Sequence, residues 1–305
     1  MSSISFLDNA HEGKNSWWRY LLTSVLSLAG GTLLSGILVA TLLVMYSVFL
    51  SPGGAADILK VLQTTLSSPF ILIVLLGVSY TLSVFLFYIC IRFLHHKRFL
   101  GIINTLPGLR WKLLLKGLII WLVIMLLFSL PDLIFNPQSY QVTFNFNGFI
   151  ILLVLCLLVV PIQASFEEIL FRGYLMQGFS LLSEKPWVPL VITSLIFGLV
   201  HFFNGTSLMV NLSIVLATFI LGMMLGIITL GDNGIETAMG VHIGNNLYVF
   251  LIYNSVDSGL PGLPSLYTAQ PADPFSGIPF LLMQAFMTIT ILFWNRKDKI
   301  TRIFH

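Results

Sequence analysis

Long apolar runs, separated by short polar or basic interruptions, dominate the chain from Arg19 onward. An α-helix needs about 20 apolar residues to cross hydrocarbon. Eight segments meet or approach that length: 20–50, 69–94, 113–130, 148–178, 187–203, 207–230, 236–254 and 275–295. The pattern predicts an all-α, polytopic integral membrane protein with about eight transmembrane helices. No soluble domain of ordinary size fits in what remains, so any chemistry has to sit within or between the helices. The run after the polar stretch Met1–Ser16 is too long for a secretory leader and lacks its small-residue cleavage site, so it reads as a retained helix.

Composition supports this reading. Hydrophobic residues make up 57% of the chain and charged residues 9%, against roughly 25% charged in soluble domains. Cys90 and Cys156 lie inside apolar spans without the spacing of a disulfide framework or a thiolate metal site. The positions of the basic residues matter more than the net charge of +3. With a cytoplasmic N-terminus, every Lys and Arg except Lys60 falls on the inner segments, 14 of 15. That asymmetry predicts an even number of spans with both termini in the cytoplasm, in the plasma membrane. The run His95-His96-Lys97-Arg98 reads as a lipid anchor beside a span, and no nucleic-acid partner is expected. The outer loop 255–274, rich in Gly and Pro and carrying Asp257 and Asp273, predicts an irregular, solvated connection. Gly222 with Gly226, and Gly240 with Gly244, are small-residue pairs that let neighbouring helices approach closely.

Ionisable groups deep in hydrocarbon cost on the order of 3 kcal/mol or more each and tend to face a bundle interior. Away from span ends they are Glu167, Glu168, Arg172, His201 and His242, with the amide of Asn246 nearby. All lie in the second half of the chain, which predicts an intramembrane cavity there. Glu168 and Arg172 are four residues apart in the acid-first order that favours pairing on one helix face, which leaves Glu167 free. His201 follows the turn near Ser183–Pro186 by about as many residues as the glutamates precede it, so an antiparallel hairpin sets them at similar depth. His242 and Asn246, also four apart, share a helix face, and Pro161 loosens the helix before the glutamates, as a wet cavity permits. A carboxylate beside a histidine can activate water, and a second histidine with an amide can hold an oxyanion. The His-Glu-x-x-His signature of zinc proteases is missing. The expected site therefore needs no cofactor, although two glutamates and two histidines leave a zinc alternative.

The series Glu167-Glu168-x-x-x-Arg172-Gly173, Phe197-x-x-x-His201 and His242-x-x-x-Asn246 resembles the three motifs of the CAAX prenyl protease and bacteriocin-processing (Abi) family. The resemblance covers about 148–254, with 1–147 (helices one to three) and 255–305 (outer loop, last helix and basic tail) outside it. It implies an intramembrane glutamic endopeptidase of the type II CAAX kind. Glu167 would be the base, His201 its assistant, and His242 with Asn246 the oxyanion site, with Glu168, Arg172 and Phe197 in support. The implied partners are a peptide or a prenylated, membrane-associated protein, and the bilayer itself. A different class of function, a non-catalytic peptide-binding or bacteriocin-immunity protein, would use the same pocket without turnover.

Overall fold

The computed structural model describes residues 5–50, 57–270 and 272–304. Eight principal helices, numbered here α1 to α8, account for the eight apolar segments. Five are long and apolar enough to cross a bilayer: α1 (Trp17–Phe49), α2 (Pro69–His95), α3 (Trp111–Phe135), α4 (Phe146–Ser180) and α6 (Leu208–Asp232). The others are shorter: α5 (Trp187–Leu199), α7 (Glu236–Leu251) and α8 (Ile278–Phe293). The chain is thus an all-α polytopic membrane protein. Two expected spans end early: α5 before His201, where a turn begins, and α7 before residues 252–254. In hydrocarbon, non-helical backbone is tolerated only where protein or a cavity satisfies it, and both departures line the cavity described below.

Large apolar side chains stand outward on the peripheral helices, among them Leu33, Ile37 and Phe49 of α1 and Phe286 of α8. Apolar patches of that extent would drive association in water and are the normal surface of a protein solvated by lipid. The interior is built on α4 and α7. Helix α7 packs most extensively against α3 and α4, α4 against α2, and α6 against α5 and α8. The glycine pairs make these contacts. A Cβ on Gly240 would sit 1.9 Å from the Leu114 carbonyl oxygen of α3, and one on Gly222 would sit 3.0 Å from the Ser194 side chain of α5. Backbone-to-backbone approach, not side-chain bulk, sets the α3–α7 distance.

The basic end of the bundle is closed. Residues 5–16 fold beneath it, burying Phe6, Leu7 and Ala10. The Asn9 amide donates to the carbonyls of Gly101 and Asn104 at 2.9 and 3.2 Å. Arg110 pairs with Glu236, and Arg296 with Asp232 at 2.8 Å. The His95–Arg98 run departs from a lipid anchor. His95 and Lys97 are buried. The His95 ring bonds to the Lys14 carbonyl and the Tyr174 hydroxyl, and Lys97 Nζ donates to the Ala10 carbonyl at 2.9 Å. Only Arg98, paired with Glu12, has a well-exposed side chain in that set of contacts. The basic residues clamp the N-terminal segment, because backbone carbonyls at the helix ends give them better partners than solvent.

The opposite end carries a three-stranded sheet, β1 (Tyr140–Val142), β2 (Tyr253–Ser255) and β3 (Tyr267–Ala269), in the order β1-β3-β2. Strand β3 runs antiparallel to β1 and parallel to β2. The loop expected to be irregular thus contains one short strand, β3, which pairs on both sides, and begins at the last residue of β2.

Candidate active site

Helix α4 presents Glu167 and Glu168, both almost fully buried, just before a π-helical turn over Ile169–Leu175. Such local widening is frequent at functional positions. Arg172 Nη1 donates to Glu168 Oε1 at 2.7 Å, and both side chains are completely buried. His242 Nδ1 meets the same oxygen at 2.7 Å. The guanidinium also lies over the Phe197 ring, 4.1 Å from its centroid, a cation–π contact strengthened by desolvation. Glu168 is therefore held by Arg172 and His242 together, and Glu167 has no arginine hydrogen-bonded to it.

Glu167 Oε1 accepts two hydrogen bonds, from the Tyr80 hydroxyl of α2 at 2.5 Å and from Gln163 Nε2 at 2.6 Å. Glu167 Oε2 accepts none and lies 3.6 Å from His242 Nε2. That separation is too long for a good direct bond but leaves both atoms within reach of one water molecule.

The Gln163 amide is set from a distance. Asn246 Nδ2 donates to Gln163 Oε1 at 2.8 Å, Asn245 Nδ2 to Asn246 Oδ1 at 3.0 Å, and Trp121 Nε1 of α3 to Asn245 Oδ1 at 3.3 Å. An indole can only donate and a carboxylate only accept. With Trp121 at one end and Glu167 at the other, all three amides point the same way, and the chain delivers N–H groups to the carboxylate.

His201 lies beyond the end of α5, with its ring 4.7 Å from that of Phe197, and the His242 ring lies 5.9 Å from Phe197. His201 Nδ1 bonds to the Phe197 carbonyl at 2.7 Å. A carbonyl only accepts, so Nδ1 carries the proton and Nε2 is left for other partners. The structure therefore brings Glu167, Glu168, Arg172, His242 and Phe197 into direct contact and joins Asn246 through Gln163. His201 shares their cavity and, among the described residues, has no hydrogen bond to Glu167. Sequence reasoning missed Tyr80, Gln163, Asn245 and Trp121. Gln163 had a signal, a polar residue one turn before Glu167 in an apolar run; Tyr80 had none, because tyrosine is unremarkable in a span.

The groups face a cavity of about 870 Å³ whose lining includes Tyr80, Gln163, Glu167, Phe197, His201, His242 and Asn246. Leu28, Leu72 and Leu76 form an apolar wall, and Asn204, Asp257, Gly259 and Asp273 lie along the end nearest the sheet. Among the described residues, no three His, Cys, Asp or Glu side chains are arranged to hold a metal ion.

The chain is 28% identical over 299 residues to the uncharacterized protein YyaK of Bacillus subtilis (strain 168), covering 94% of this chain and 95% of that relative. No solved structure matches. Residues 146–248, which carry every polar motif residue from Glu167 to Asn246, match the family described as Rce1-like, type II CAAX prenyl endopeptidase.

Proposed function

We propose that the protein is an intramembrane endopeptidase that hydrolyses a peptide bond with water activated by Glu167. The observation that carries this reading is the free Glu167 Oε2, buried, without a hydrogen bond and facing His242 Nε2 across 3.6 Å inside a large cavity. A water about 2.8 Å from each atom would give its proton to the carboxylate as its oxygen bonds to the scissile carbonyl carbon. The C–N bond then breaks, and the proton passes to the leaving amine. Tyr80 and Gln163 occupy the other carboxylate oxygen and so direct the lone pairs of Oε2 toward the cavity.

In this scheme His242 faces the base and His201 stands across the Phe197 ring, so the two histidines divide the work differently from the motif expectation. His201 Nε2, when protonated, would donate to the oxyanion, together with the second N–H of the Asn246 amide. The family match over residues 146–248 supports a peptide or protein substrate at the membrane, and a prenyl chain would lie against Leu28, Leu72 and Leu76.

The test is cleavage of labelled prenylated and unprenylated peptides by purified protein, with Glu167→Ala as control and with or without chelator. Cleavage lost in the variant and unaffected by chelator is expected. Cleavage restored to chelated protein only by zinc would sink the metal-free scheme, and turnover by Glu167→Ala would sink the assignment of the base.

A further inference from the structure

The cavity opens at the end of the bundle that carries the sheet. Its rim is formed by Gly259, Ala272, Asp273 and Ser276, all exposed, on the loops beside the sheet. Toward the other face, the floor below Glu167 is packed core: Phe166, Ile169 and Leu170 of α4 with Ile103, Ile235 and Met239. Beneath that core lie the Arg110–Glu236 pair and residues 5–16. Nearly all Lys and Arg residues are at this closed end or on its loops, which the charge asymmetry assigns to the cytoplasm. The lining contains no Lys or Arg, while Glu167, Asp257 and Asp273 are acidic. A narrow site with one sign of charge and apolar walls concentrates ligands of the opposite sign. The Glu167 oxygen at its base, buried and without a hydrogen bond, points to what the cavity receives.

We infer that the site is served from the extracytoplasmic face, and that it takes an extended peptide segment of neutral to basic charge. A substrate presented from the cytoplasm meets the closed end. A segment carrying its own carboxylate deep into the cavity meets no Lys or Arg among the described lining residues, only the acids Glu167, Asp257 and Asp273. The inference uses the peptidase reading for what happens to the peptide, but face and charge selection are properties of the cavity and can be measured without turnover.

The experiment is labelling of Val249→Cys, whose side chain would line the cavity, with membrane-impermeant cationic and anionic thiosulfonates on right-side-out and inverted vesicles. The wild type, whose two cysteines are buried, is the blank, and Lys185→Cys on an exposed loop of the basic end is the opposite-face control. Ser258→Cys, also on the lining, repeats the test if Val249→Cys does not fold. Labelling from the outer face only, with the cationic reagent faster by about tenfold or more, is expected. Asp257→Asn with Asp273→Asn should narrow that ratio. Labelling from the same face as Lys185→Cys, or from neither face, overturns the access route. Equal rates for the two reagents overturn the charge preference. In proteoliposomes, a Lys-containing peptide should be cleaved ahead of its Glu-containing counterpart, and only from the face that labels Val249→Cys. If detergent-solubilised protein cleaves nothing, the peptidase reading fails while the labelling result stands.

Discussion

Replacing Arg172 with Met tests whether the buried charge cluster holds the bundle together. The guanidinium is completely buried, donates to Glu168 at 2.7 Å and covers the Phe197 ring at 4.1 Å. Met keeps much of the volume, so the loss is mainly electrostatic. Glu168 keeps only the hydrogen bond from His242, and a buried charge stripped of its ionic partner costs about 3–5 kcal/mol. The cation–π contact adds about 1–2 kcal/mol. Against this, Arg172 Nε and Nη2 have no hydrogen-bond partner, so removing them relieves a desolvation cost of about 1–3 kcal/mol. The net expectation is a destabilisation of about 3–4 kcal/mol, read as a loss of folded yield and a lower unfolding temperature in detergent. The double variant Glu168→Gln with Arg172→Met removes both charges and should recover at least half of the loss. An Arg172→Met protein as stable as wild type, or a double variant worse than the single one, would refute the assignment of Arg172 to holding Glu168.

Tyr80→Phe removes one of the two hydrogen bonds that orient Glu167. A bond to a charged group contributes about 1.5–3 kcal/mol, so kcat should fall by about 10- to 100-fold with little change in KM or unfolding temperature; unchanged kcat would count against the carboxylate's proposed orientation. Gly240→Ala places a Cβ 1.9 Å from the Leu114 carbonyl oxygen and should destabilise by about 2 kcal/mol or more, which thermal unfolding beside wild type would register. Burial beneath residues 5–16 pushes the Lys97 ammonium down to about 8 from 10.5, against the raising influence of Glu12. The unfolded chain therefore binds more protons between those values. Stability should rise with pH through that window, by at most about 3 kcal/mol, and the slope should vanish in Lys97→Met.

The spans and the motif residues were legible because hydrocarbon penalises polarity, so each charge inside an apolar run marks itself. The Glu168–Arg172 pair followed from helix geometry alone, since the partners are one turn apart. The short ends of α5 and α7 are not legible, because residues 200–203 and 252–254 are mostly apolar and continue the runs before them, while Val200, His201 and Tyr253 turn out of the helices beside the cavity. Depth counting set Glu167 and His201 at one level but could not give azimuth, and Phe197 stands beside His201. The His95–Arg98 run was misread because a basic cluster beside a span looks the same whether it faces lipid or a folded-back N-terminus.

Glu167 is gripped by Tyr80 from α2, and its amide neighbour is steered by Trp121 from α3. Both helices lie outside the segment that matches the family. The matched segment is consequently not a portable cassette. Grafted onto other membrane helices, residues 146–248 would bring every motif side chain and still present a carboxylate free to swing, with a row of amides that nothing compels to point one way. What the family signature identifies and what makes the acid usable are encoded in different halves of the chain, so chimaeras that exchange the first three helices should change the rate of the reaction without touching a motif residue.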